Sequence, residues 1–267
     1  MKILSQIFLM LVLFFGCIFL LQKVDWMSLL NINQVSKSSE EKLGDTIWEY
    51  IKNDAKEIEN KGLSEPIDSL IQKICGANDI DANQLKVHLI YNNEVNAFAL
   101  PNNHLVVYTG LILAAENEGE ICGVLGHEIA HIELKHVMKK LVKEMGLSIL
   151  LSLASGSGNG DKLKEAIKYL SSSAYDRTLE READLKSVKY MQKAKIDVEQ
   201  YAAFLYRLGS DEPEAMKYLS WVSTHPDSRE RANYILAQRG MGKIKCQAVL
   251  GPQSLQQMKD LIEGINN

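Results

Sequence analysis

Hydrophobic residues recur every three or four positions through most of this chain, and one stretch near its middle switches to the shorter runs typical of strands. Ile47, Ile51 and Ile58, then Ile67, Leu70, Ile71 and Ile74, are spaced for two amphipathic helices, with the break predicted at residues 61–66, which hold Gly62 and Pro66. Residues 87–91, 95–100 and 105–109 read as strands, and Pro101-Asn102-Asn103 as their turn, so a small antiparallel sheet is expected. A helical run follows from residue 110 to about 145, interrupted near Asn117-Glu118-Gly119. The apolar residues 147–154, the Ser/Gly-rich residues 155–160 and a helix over 161–190 predict a buried hairpin of two helices with a loop at its tip. Pro252 opens a short terminal helix reaching Glu263. The class is α+β and mostly helical, without internal repeats.

The N-terminus has a different character. Residues 3–21 are apolar apart from Ser5 and Gln6, and 19 residues at about 1.5 Å each nearly match a bilayer core of about 30 Å. Residues 22–26 lack the small residues of a signal cleavage site, so an uncleaved transmembrane anchor over residues 1–22 is preferred, with Trp26 at the interface. A lipoprotein anchored through Cys17 is the alternative, against which stand the aromatic residues before Cys17 and the apolar ones after it. Lys2 and the amino terminus precede the span while Asp25 offsets Lys23, which places the catalytic domain outside the cytoplasm. Residues 23–42 read as a polar linker or helix lead-in, and the folded domain as residues 43–267.

At 267 residues and 46% hydrophobic content the chain can bury one substantial core. Its 30 basic and 34 acidic residues give a net charge of −4, which carries no electrostatic footprint for nucleic acid and excludes a DNA or RNA partner. Beyond the anchor, Cys75, Cys122 and Cys246 have no zinc-knuckle spacing. Either Cys75 and Cys246 bridge in an oxidising compartment, or these are buried free thiols.

The chemistry is concentrated in His127-Glu128-Ile129-Ala130-His131, an HExxH motif. On a helix, His127 and His131 lie one turn apart on one face and can grip a single zinc ion. Glu128 sits beside that face, free to take a proton from a water on the metal. Apolar Ile121, Val124, Leu125, Ile129 and Ile132 recur around the motif, so its helix has a buried side. Leu134 and Val137 stand where a metzincin needs glycine and histidine, which excludes that class. His136, five residues past His131, reads as a surface histidine, and His88 and His104 as structural.

A catalytic zinc takes a third protein ligand and keeps one position open for water. In Glu180-Arg181-Glu182-Ala183-Asp184, Glu180 and Asp184 share a helix face, so Glu180 could ligate while Asp184 accepts the outer N–H of a ligand histidine. By spacing alone, a solvated acidic face beside Arg177 and Arg181 explains the segment equally well.

The two motifs, with Asn96-Ala97-Phe98-Ala99-Leu100-Pro101 and with Ser223-Thr224-His225-Pro226 followed by Arg231, resemble the gluzincin family that holds the CAAX prenyl endopeptidases and the bacterial HtpX and BepA membrane-associated proteases. The likeness covers about residues 43–240. It implies a zincin-like metalloprotease domain with one zinc per chain, Glu180 as third ligand, and His225 and Arg231 near the reacting carbonyl. Two positions depart from the family pattern. Asn102 and Asn103 replace the usual pair of glycines, which asparagine's tolerance of left-handed backbone accommodates, and Ser187 replaces a glycine three residues past Asp184.

The expected activity is hydrolysis of peptide bonds: zinc lowers the pKa of its bound water to roughly 7, and Glu128 takes the proton and returns it to the leaving amine. His225, Tyr175 or Arg231 would steady the oxyanion, His225 first. An extended polypeptide could add as a strand beside Asn96, Ala97, Phe98 and Ala99, which suits unfolded substrates. With the anchor and the family analogy, this points to misassembled envelope proteins at a bacterial cell membrane. The rival functions are a protease-like chaperone or binding module that cleaves little, and a zinc hydrolase of non-peptide amides.

Overall fold

The computed structural model describes Gln6, Met10 and residues 35–158, 160–209, 219–238 and 246–265. The chain divides into two compact units, Met1–Ser36 and Lys37–Asn267, and every element named below belongs to the second. The expected span at residues 3–21, apart from Gln6 and Met10, lies outside the described residues, as do Cys17 and residues 23–34 of the linker. Among the described residues no helix is long and apolar enough to cross a membrane.

Helix α1 spans Lys37–Asp54, so the polar residues 37–42 are already helical, and it buries Leu43, Ile47 and Trp48. Helix α2, Lys61–Gly76, starts at Asn60, whose side chain accepts the Gly62 N–H at 2.8 Å. The break between the two therefore falls at residues 55–60, and Gly62 and Pro66 lie inside α2. Its physical cause is an alternative set of backbone partners: Ile58 N–H donates to Leu89 O at 2.8 Å and Tyr91 N–H to Lys56 O at 2.8 Å. The segment thus covers an edge that would otherwise offer unpaired backbone groups.

The sheet has three strands, β1 (Lys86–Ile90), β2 (Ala97–Leu100) and β3 (His104–Tyr108), in the order β1-β3-β2. It is mixed, not antiparallel: β2 pairs antiparallel with β3, with Ala97 opposite Val107 and Leu100 opposite His104, while β1 pairs parallel with β3, Lys86 opposite His104. The chain leaves β1 for the far edge and returns to the middle, so its first and third strands become neighbours and run the same way. Asn102 and Asn103 both adopt left-handed backbone, at φ 61 and 59, within the three-residue turn between the paired Leu100 and His104, a conformation that asparagine tolerates. Gly44 of α1 packs onto this turn, where an added Cβ would come within 2.2 Å of Pro101 O.

His88 and His104 join the sheet to α1 through a chain of contacts. Glu57 lies 2.9 Å from His88 Nδ1, His88 Nε2 lies 2.8 Å from His104 Nδ1, and His104 Nε2 lies 2.9 Å from Asp45, with Trp48 stacked on the His88 ring at 3.4 Å. Both histidines tie the sheet to α1, and neither belongs to the metal-capable group found among the described residues.

The helical run after the sheet has two interruptions. Helix α3 is Thr109–Ala114, α4 is Glu118–Glu133 and α5 is His136–Met145. The first break is the cap of α4: Asn117 accepts the Glu120 N–H at 3.1 Å, and Glu120, anchored by Arg207 at 2.7 Å, accepts the Glu116 N–H at 2.8 Å. From Gly119 to His131 α4 is buried on every side, which makes it the central element of the core. Helices α6 (Leu147–Ala154) and α7 (Gly160–Ser172) form the expected hairpin, with Leu150, Leu153, Leu163 and Leu170 buried.

The helix expected over 161–190 is two, α7 and α8 (Arg177–Lys193), because residues 173–176 give their backbone groups to other elements: Lys140 Nζ reaches Ser173 O, and Tyr175 N–H donates to Thr224 O at 3.2 Å. Helices α9 (Val198–Leu208), α10 (Leu219–Thr224) and α11 (Ser228–Ala237) follow, and α12 (Ser254–Ile265) begins two residues after Pro252. Helix α8 crosses α4 closely because small residues meet there: Ser187 Oγ donates to Gly123 O at 2.9 Å, and a Cβ on Gly126 would sit 2.7 Å from that same hydroxyl. Cys75 and Cys122 are buried and Cys246 is exposed, and the bridge between Cys75 and Cys246 is not formed.

The left-handed turn generates a simple test. Asn103→Val should lower stability by about 1–2 kcal/mol through its Cβ clash, and Asn103→Gly should not, as read from urea unfolding midpoints.

Candidate active site

Helix α4 presents His127 and His131 on one face, as their spacing requires, with the two Nε2 atoms 3.0 Å apart. Helix α8 crosses so that Glu180, in its first turn, enters the same point: Glu180 Oε2 lies 3.5 Å from His127 Nε2, and Oε1 lies 3.4 Å from His131 Nε2. His225, just past α10, completes the group with Nδ1 2.9 Å from Glu180 Oε1 and 3.3 Å from His127 Nε2. Four ligand atoms, one from each of these residues, lie within 4.8 Å of one another, and all four residues are buried.

The donor chemistry fits a metal ion. Glu128 Oε1 and His225 Nε2 are buried without a hydrogen-bond partner, a costly state that buried polar groups rarely keep unless something else satisfies them. His127 Nδ1 lies 2.8 Å from Asp184 Oδ1, so its proton is spent there and its Nε2 offers a lone pair toward the cluster. Two imidazoles and a carboxylate are the ligand types that zinc takes in hydrolytic sites.

Asp184 and Arg231 brace the cluster. Arg231, in α11, directs Nε and Nη2 to the two oxygens of Asp184 at 2.8 and 2.7 Å, Nη2 also to Tyr201 at 3.1 Å, and Nη1 to His225 O at 3.3 Å. Nη1 further ion-pairs with Glu180 Oε2 at 2.8 Å. Tyr201 donates to Asp184 at 2.8 Å, and Tyr234 also donates to it. Burial alone would raise the Asp184 carboxyl, but Arg231 and His127 beside it hold it well below the usual carboxylate range. Burial likewise opposes ionisation of Glu180, and His225, Arg231 and His127 overcome it.

Glu128 stands apart from these pairs. It accepts the Ala99 N–H of β2 at 3.0 Å through Oε2, while Oε1 lies 3.4 Å from His225 Nε2. Burial pushes its carboxyl up to about 7, with His127 pulling down and Glu180 adding to the rise. A base poised near neutrality is well matched to proton transfer at neutral pH.

The other expected residues are less uniform. Tyr175 is buried with its ring 4.1 Å from that of His131 and with Lys140 Nζ 3.9 Å above it, which gives it a packing role. Asn96, Ala97, Phe98 and Ala99 line the outer strand and are buried: α7 packs on β2, and Asn96 Nδ2 donates to Ser171 O at 3.3 Å. His136, expected at the surface, is fully buried, with Nδ1 3.1 Å from His131 Nδ1 and Nε2 3.2 Å from Glu182. The expectation extended α4 past residue 133, whereas Lys135 turns left-handed at φ 56 and folds His136 back toward the site. Tyr201 and Tyr234 were not legible as site residues, because neither carries ligand-like spacing.

Comparison with known proteins agrees with this geometry. The model of Peptidase family M48 matches residues 62–239. The chain belongs to that family. The metalloendopeptidase OMA1, mitochondrial, of Bos taurus is 30% identical over 201 residues, 69% of this chain and 37% of the relative. The beta-barrel assembly-enhancing protease of Escherichia coli (strain K12) is 25% identical over 219 residues, 74% of this chain and 45% of the relative. This M48 chain thus spans less than half the length of either relative.

The brace can be tested without catalysis. Arg231→Leu leaves two buried carboxylates uncompensated and should cost about 3–5 kcal/mol in urea unfolding of chelator-treated protein.

Proposed function

We propose that this M48 protein is a zinc-dependent endopeptidase for unfolded polypeptides, with His127, His131 and Glu180 as the metal ligands and Glu128 as the general base. The observation that carries the reading is the convergence of two imidazole Nε2 atoms and the Glu180 carboxylate on one buried point, with a base beside them. When bound there, zinc supplies Lewis acidity, acidifying a water and polarising a peptide carbonyl. Glu128 takes the water's proton on its unpaired Oε1 and hands it to the departing amine. Asp184 holds His127 in the tautomer that leaves Nε2 free, and Arg231 keeps Asp184 ionised.

His225 is proposed as the donor that steadies the oxyanion. A specific observation favours a second reading: its Nδ1 belongs to the donor group, and four protein ligands would leave no position for water. In that reading His225 must leave before the reaction starts. The substrate chain would add alongside β2, where alternating backbone groups are read without regard to sequence. Glu128 and β2 are buried, so cleavage requires α7 to draw back from the strand.

An N-terminal anchor, or a lipid on Cys17, would hold the domain at a bacterial cell membrane on its outer side. The name of the Escherichia coli relative refers to beta-barrel assembly, so envelope proteins that fail to assemble are the first natural substrates to try.

Unfolded casein incubated with the purified protein should be cleaved, and chelator should stop cleavage. Glu128→Gln should lose about 10²–10⁴-fold in rate while keeping its zinc, and Glu180→Ala should lose the zinc itself, measured by elemental mass spectrometry. Absence of chelator-sensitive cleavage from every unfolded substrate would leave the chaperone reading instead. His225→Ala should retain zinc in either reading; a slower rate supports the oxyanion role, and a faster one the fourth-ligand role.

A further inference from the structure

The buried His136 has no part in the reaction just described, yet its ring faces a metal ligand. Helix α4 stops at Glu133, Lys135 takes the left-handed turn, and α5 begins with His136 already folded back. Its ring meets that of His131 edge-on, with centroids 5.0 Å apart at 73°. The facing atoms are the two Nδ1 nitrogens, 3.1 Å apart, and the far nitrogen of His136 lies 3.2 Å from Glu182 Oε2.

These contacts specify the protons. A neutral imidazole carries one N–H, so His131 can offer a lone pair at Nε2 only if its hydrogen sits on Nδ1. That hydrogen faces His136 Nδ1, which must then be the acceptor, so the single N–H of His136 is on Nε2 and donates to Glu182. His127 achieves the same state directly through Asp184 at 2.8 Å. Glu182 cannot serve His131 directly, because two residues from Glu180 it lies on nearly the opposite side of α8 and is half exposed.

We propose that His136 and Glu182 are positioning residues for His131: the Glu182 carboxylate, acting through His136, sets the tautomer and ring orientation in which His131 binds the metal. This rests on the ligand assignment above. One helix thereby supplies a ligand, Glu180, and the outer acceptors of both ligand histidines, Asp184 directly and Glu182 through a relay. His136 itself is not a ligand, since it touches His131 on the edge away from the donor group.

The test measures zinc affinity by competition with a chromogenic chelator, and the visible spectrum of the cobalt(II)-substituted protein. Wild type must first bind zinc stoichiometrically; failure there refutes the ligand assignment, whereas the relay is judged only by the variants. His136→Leu should weaken zinc binding about 10–100-fold and alter the cobalt spectrum, and His136→Gln, which keeps an acceptor, should recover much of the loss. Glu182→Ala, at the exposed end, should weaken binding in the wild-type background and have no further effect beside His136→Leu. Where His136→Leu fails to fold by circular dichroism, Glu182→Ala and His136→Gln decide. Wild-type affinity and an unchanged cobalt spectrum in Glu182→Ala, or losses from the two sites that simply add, would overturn the proposal.

Discussion

Everything around the site answers to one constraint: charged side chains gathered at a buried point must satisfy one another. Glu180, Asp184 and Arg231 are almost wholly withdrawn from water, as are His127, His131 and His225. Moving such groups out of water is costly, so each needs a partner of opposite charge or a hydrogen bond. The Arg231 guanidinium meets most of that need because its planar fork matches two carboxylates at once. Glu128 Oε1, left without a hydrogen-bond partner, is the atom that the chemistry would use.

That constraint explains the packing. A helix carrying the motif histidines and buried on all sides can be approached by others only where side chains are small, and Gly123 and Gly126 provide those places. Tyr201 settles over Gly123, which brings its hydroxyl to Asp184, and Ser187 settles over Gly126, which seats α8 with Glu180 against His127, His131 and His225. Ser187 is compatible with close packing because its hydroxyl finds Gly123 O and leaves no polar atom unpaired. The sheet contributes little bulk and one decisive contact, the Ala99 N–H that orients the Glu128 carboxylate.

Much of this was legible from local rules. The motif helix, the interruption near Asn117, the turn at Asn102 and Asn103 and the α6–α7 hairpin all follow from periodicity and turn chemistry acting between near neighbours in the chain. Where reading failed, the deciding partner was distant or the signal was absent. The end of α4 carries neither glycine nor proline, and Lys135 adopts a left-handed backbone without announcing it, so His136 was placed on the wrong side. Gly62 and Pro66 look like breakers but stand within α2, because residues 55–60 had already been claimed by β1.

The sequence by itself determined which residues could bind a metal and which face of α4 they share, since a helix's period is a property of the backbone. It also held the pairing of Glu180 with Asp184, though resemblance to a family, not spacing, gave that pair its meaning. Only the tertiary structure decided the strand order, the approach of α8 and α11 to α4, and the contacts of His136 with His131 and Glu182. Those depend on contacts between residues up to a hundred positions apart, where no local period exists and the outcome is set by which surfaces can be buried together without leaving a charge alone.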